Sequence, residues 1–162
     1  MSTMKYRIPR GIADVDRGLI LATVDIPAAA ERVFRAVTSE EIVRWWGSED
    51  AYRTTRWSGD VRARGGWRHE GIGRDGHPFV VHGEFVEIEP PSRLVLTYHH
   101  WEPKGSVTKA TWRFEPIPGG TRVVVHHEGF GDARESCASH VDDWEQVLGW
   151  LSGYVGNESR IA

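Results

Sequence analysis

Between Trp67 and Glu128 the sequence sets out four or five β-strands in succession, joined by tight turns, and one amphipathic stretch from Ser139 to about Val155 then reads as a helix. Strands joined by such short connections pair antiparallel. A single long helix laid across the concave face of a curved antiparallel sheet encloses space instead of filling it. The order of elements therefore predicts an α+β domain and a container for an apolar ligand.

Period-two alternation assigns the strand faces. In Arg93 to Trp101, Leu94, Leu96, Tyr98 and His100 share a face; in Val107 to Glu115, Ala110, Trp112 and Phe114 oppose Lys109, Thr111, Arg113 and Glu115. Thr121 to Glu128 places Val123, Val125 and His127 together, with Val124 opposite. Phe79 to Glu89 does not alternate cleanly, and Phe85 is taken as inward. Asp75-Gly76 marks a hairpin, Gly65-Gly66 a turn or bulge before the strand Trp67 to Gly73, and Pro90-Pro91 and Pro118 to Gly120 the later turns.

Upstream, Leu19 to Ile26 reads as a strand ended by Pro27, and Ala28 to Val37 as a short helix with Ala29, Val33, Phe34 and Val37 on one face. Thr38 three residues before Glu41 forms a capping-box pattern, predicting a second short helix to Trp46 that Gly47 stops. Tyr52 to Trp57 is the next strand. In the closing helix Val141, Trp144, Leu148 and Leu151 form one apolar stripe, Ser139 is the expected N-cap, and Asp142, Asp143 and Glu145 suit the positive end of the helix dipole.

The chain has 162 residues, 40% hydrophobic and 27% charged, with net charge -3. That suits one soluble domain, expected over 18–156 between an N-terminal arm (1–17, expected to be poorly ordered) and a tail (157–162). No apolar run spans a bilayer and Met1 to Arg17 lacks a signal-peptide core, so the expected place is the cytoplasm without stable membrane insertion. Cys137 is the only cysteine, which excludes an intramolecular disulfide and argues against a cysteine-based metal site; it is read as a reduced thiol with no role.

Five segments carry a resemblance to a known family: AAERVFRAVTSEEIVRWWG (29–47), GGW (65–67), GEFVEIEPPSRLVLTY (83–98), GGTRVVVHHEGF (119–130) and HVDDWEQVLGWL (140–151). They resemble the activator of heat-shock-protein-90 ATPase homologue family, within the START / birch-pollen-allergen-like (SRPBCC) superfamily. The resemblance implies a helix-grip fold: a curved antiparallel six- or seven-stranded sheet, two short helices and a long C-terminal helix over a cavity. Asp143 stands where the family pattern has glycine before the helix tryptophan, and Ser48 follows Gly47 where it has proline, so the cavity entrance is expected to differ. The family's co-chaperone carries a chaperone-binding domain ahead of this one; here only a short segment precedes the first strand. The superfamily mixes carriers, small-ligand binders and cyclases, so fold leaves function open.

The expected ligand-binding set is Trp46, Trp67, Phe85, Leu96, Tyr98, His100, Trp112, Phe114, Val125, His127, Trp144, Leu148 and Leu151. In a meander the strands ending at His100 and His127 run parallel, so both histidines and His140 gather at one end, while His99 and His126 face away. Strands two apart lie about 10 Å from each other, too far for His100 and His127 to share a metal, and no metal or cofactor is expected. The leading reading of these histidines is polar residues lining or rimming the cavity mouth, ahead of acid-base chemistry or orienting a ligand and ahead of a metal, and the leading reading of each aromatic residue is core packing. Trp101 is read as exposed near a partner surface. Arg53, Arg56, Arg62, Arg64, Arg68 and Arg74 read as a solvated face paired to Asp60, Glu70 and Asp75, with an acidic headgroup as the functional alternative.

The chain has no phosphate-binding glycine loop, nucleophile elbow or nucleic-acid module, which disfavours an NTPase, a serine hydrolase and nucleic-acid binding. Three classes remain. The first is a binder of a small apolar or amphipathic molecule, lipid-like or aromatic. The second is a cyclase-, aromatase- or hydrolase-like enzyme with His127 or His100 as base and Tyr98 as hydroxyl donor. The third is a co-chaperone-like interaction module, with a protein partner or a homodimer as its company.

Overall fold

The structure is a computed structural model that describes residues 4–99 and 106–157. Its elements are β1 (Arg10–Asp14), β2 (Leu19–Ile26), α1 (Ala30–Val37), α2 (Ile42–Trp45), β3 (Arg53–Gly59), β4 (Gly66–Ile72), β5 (Pro78–Glu89), β6 (Arg93–His99), β7 (Val107–Ile117), β8 (Gly120–Glu128) and α3 (Arg134–Gly156). All eight strands form one antiparallel sheet in the order β1-β2-β8-β7-β6-β5-β4-β3. Strands β3 to β8 are a meander. Because β2 pairs with the last strand, α1 and α2 must carry the chain across the sheet to its far edge, and α3 then lies over β1 and β2. This is the α+β helix-grip architecture that the resemblance implies.

The eighth strand lies in the segment assigned to the arm. Residues 10–14 pair with Leu19 to Thr23, and Gly11 N–H donates to Glu145 Oε2 of α3 at 3.0 Å. Upstream, the Lys5 and Tyr6 N–H groups donate to Asp25 Oδ2 (2.8 and 3.0 Å), and Arg122 clamps the same carboxylate from Nε at 2.8 Å. An edge strand of sequence RGIAD has no apolar alternation to announce it.

Two expectations about helix starts are corrected. Helix α3 begins at Arg134, not Ser139, because Cys137 extends the apolar stripe one turn toward the N-terminus and is fully buried. Ser139 lies inside the helix and donates to Ser136 O at 3.0 Å. Thr38 does not cap α2: it is the C-cap of α1, its hydroxyl donating to Phe34 O at 2.8 Å. Glu41 turns instead to Arg32 (Nη2 at 2.6 Å), Arg35 (Nε at 3.2 Å) and the Tyr154 hydroxyl (2.8 Å), tying α1, α2 and α3 together.

The core sits between α3, α1 and the concave face. Leu94, Trp112, Phe114, Val123 and Val125 are all buried there, as alternation predicts. Phe85 is also inward, and the uneven pattern of β5 has a cause: a register shift between Phe85 and Glu87.

Candidate functional site

The core does not fill the concave face completely. Between α3 and strands β4 to β6 lies a cavity of about 550 Å³. Its walls are aromatic, from Trp46, Tyr52, Phe79 and Trp144, with Val81 and Val147 between them. Its mouth is polar, with Arg74, His140, Asp143 and Gln146. His69 and Tyr98 form its floor, and beneath them, with Trp46, lies a second cavity of about 30 Å³ lined also by Trp57, Trp67, Phe85, Leu96 and Trp112.

Cross-strand glycines seat these rings. Trp67 on β4 faces Gly83 on β5, where an added Cβ would stand 2.9 Å from the indole and 1.8 Å from Thr97 O. Phe79 faces Gly71 in the same way, where a Cβ would meet its ring at 2.4 Å. No real Cβ tolerates such contacts, so both glycines keep room for an aromatic ring laid across the strand.

His69 is the polar centre of the floor. Thr54 hydroxyl donates to Trp46 O, so its oxygen must accept the Nε2–H of His69, at 2.7 Å. The ring is then the Nε2–H tautomer, with an Nδ1 lone pair that no hydrogen bond among the described residues engages. Burial pushes the ring down to about 4, so it is neutral at physiological pH. Around it, burial raises the Tyr98 phenol well above its usual range and the Tyr52 phenol to about 12, the latter accepting Trp46 Nε1–H at 2.9 Å. The Asp143 carboxyl at the mouth is also raised, by desolvation first and by Asp142.

His127 lies in the core and lines neither cavity, behind the rings of Trp144 and Tyr98. Trp144 Nε1–H donates to its Nδ1 at 3.0 Å, so its remaining proton is on Nε2, facing Thr108 Oγ1 at 2.7 Å. The His140 ring is 5.9 Å from it, while Nδ1–H of His140 donates to Ser136 O at 2.6 Å. His99 stacks on His82 at 4.9 Å, and His126 faces Glu128. Of the thirteen residues expected to bind ligand, Trp46, Tyr98 and Trp144 line the outer cavity, and Trp67, Phe85, Leu96 and Trp112 the inner one. Phe114, Val125, His127, Leu148 and Leu151 are buried but line neither. His100 and Trp101 fall outside the described residues. Among the described residues no cluster of three or more His, Cys, Asp or Glu is arranged to hold a metal.

Residues 27–156 match the family described as Activator of Hsp90 ATPase homolog 1-like protein. The chain belongs to this family. Solved structures repeat the fold at low identity. A Rhodobacter sphaeroides protein is 19% identical with TM-score 0.78, over 92% of this chain and 99% of that one. A Nitrosomonas europaea protein is 17% identical with TM-score 0.73, over 88% and 96%. The Activator of Hsp90 ATPase homolog 1-like protein of Aeromonas hydrophila is 21% identical with TM-score 0.69, over 93% and 94%. No curated protein sequence gives a significant match. No helix among the described residues is long and apolar enough to cross a membrane.

Asp143 puts a carboxylate at the cavity mouth. Sequence reasoning missed His69, Tyr52, Phe79 and Val81. A signal for His69 existed: it is two residues after Trp67 on one strand, so assigning Trp67 inward assigns His69 inward too.

Proposed function

We propose that this protein binds a small amphipathic molecule, aromatic or lipid-like, in the outer cavity. The observation that carries the reading is a space of about 550 Å³ with four aromatic walls, a single hydrogen-bonding floor and a polar mouth. A ligand burying on the order of 250 Å² of apolar surface gains about 6 kcal/mol before association costs, which makes roughly tens of micromolar the tightest affinity it supports without polar anchors. The same geometry weighs against acid-base catalysis. A histidine held near pKa about 4 is a poor base at neutral pH, and both His127 nitrogens already have partners.

Titration with apolar fluorophores and fatty acids tests the reading, because Trp46 and Trp144 line the cavity and their emission reports its contents. Saturable quenching is expected, weakened by Val81→Trp, which places an indole into the space from β5 while leaving the melting temperature near wild type. A folded sample that shows no saturable quenching across a broad apolar panel would overturn it.

A further inference from the structure

The inner cavity has a one-sided chemistry. Trp67 and Trp112 are 7% and 0% exposed, and neither indole N–H has a hydrogen-bond partner. Both rings line the cavity of about 30 Å³. The Tyr98 phenol is the oxygen that neighbours Trp112, yet it makes no hydrogen bond of normal geometry to the indole N–H. An unpartnered buried N–H costs more than a made hydrogen bond contributes, so two of them beside one void call for an acceptor. A void of about one water's size admits a single oxygen-bearing group. No lysine, arginine or protonated histidine lines it, so a buried carboxylate would stand without a counter-charge.

We propose that the inner cavity is a recognition subsite for one neutral carbonyl oxygen, held by the Nε1–H groups of Trp67 and Trp112, with the ligand's apolar body in the outer cavity. The inference rests on the binding function proposed above and names its substrate class. Trp46, His69 and Tyr98 line both spaces, so the partition is one layer of side chains thick, and a ligand that reaches both displaces one of those rings. Specificity follows from the donors. A hydrocarbon leaves both N–H groups orphaned, whereas an aldehyde, ketone, ester or amide of the same shape satisfies them, a discrimination on the order of tenfold or more.

The test uses the full chain, labelled with ¹⁵N at the indole nitrogen, and three naphthalenes that differ in one substituent: formyl, methyl and carboxylate. Naphthaldehyde is expected to bind roughly tenfold or more tighter than methylnaphthalene and to move the Nε1–H resonances of Trp67 and Trp112 downfield, as new hydrogen bonds do. Trp67→Phe should bring the ratio of the two affinities toward one. Equal affinities with both resonances unmoved would overturn the subsite while leaving the outer cavity as a binding site. Tighter binding of naphthoate with both resonances shifted would overturn the neutral class. A resident water that no probe displaces would overturn the assignment to a ligand. If neither naphthaldehyde nor methylnaphthalene binds while another apolar probe quenches saturably, the subsite falls and the outer cavity stands; if no apolar probe does, both fall. Should Trp67→Phe fail to fold, the wild-type shifts and affinity ratio decide alone.

Discussion

Replacing His127 by alanine separates a structural histidine from a ligand-binding one. In the structure its ring accepts Trp144 Nε1–H at 3.0 Å and faces Thr108 Oγ1 at 2.7 Å, with 2% exposure, so it fastens α3 to β7 and β8. Alanine leaves the Trp144 N–H without its acceptor, at a cost of about 1–3 kcal/mol. The void left by the imidazole adds about 1 kcal/mol, because close-packed surroundings relax only in part. A loss of about 3 kcal/mol lowers the melting temperature of a domain this size by roughly 6–12 °C. Near-ultraviolet circular dichroism follows the melting, and fluorophore titration at low temperature gives the affinity of the folded fraction. The expected result is a lower melting temperature with affinity close to wild type. His127→Gln, whose amide oxygen can still accept from Trp144, should recover part of the loss. A variant that melts like wild type but no longer binds would refute the structural role and return His127 to the ligand.

Two further perturbations read the electrostatics. Burial alone would raise the Glu41 carboxyl, but hydrogen bonds from Arg32 and Tyr154 outweigh it and hold it down from 4.5 to about 2. Its stabilisation is therefore complete above pH 4.5 and lost as pH falls toward 2. A shift of this size corresponds to at most about 3 kcal/mol, so Glu41→Gln should cost about 2 kcal/mol in urea unfolding at neutral pH and flatten the acid limb. An unchanged urea midpoint would count against the three-helix clamp. His69 has the same sign in a higher window: burial depresses its folded pKa from 6.5 to about 4, so the unfolded chain takes up the proton first and stability declines between those values as pH falls. His69→Phe should remove that slope, and a slope that survives the substitution would show that another group causes it.

The parts of this fold legible in the sequence are those where one period governs one element. Strand β8 alternates in burial from end to end, and β7 does so from Val107 to Glu115 except at Thr111, so the inward positions of Trp112, Phe114, Val125 and His127 follow from counting by twos. Strand β5 resists the same counting because the register shift after Phe85 changes parity, and Ile88 returns to the core side three residues later. The Thr38–Glu41 pair shows a different limit. A local motif specifies a helix cap only if nothing distant competes, and here Arg32, Arg35 and Tyr154 take the carboxylate. The site illustrates that limit most fully. Alternation turns His69 and His127 inward alike, and nothing along either strand tells them apart. The difference comes from the path of α3 over the sheet, which sets the Trp144 N–H on the Nδ1 of His127 and leaves the Nδ1 of His69 without a bond at the floor of the outer cavity. Which histidine faces a cavity is thus decided by one helix packing against β1 and β2, a long-range relation that no sequence period encodes.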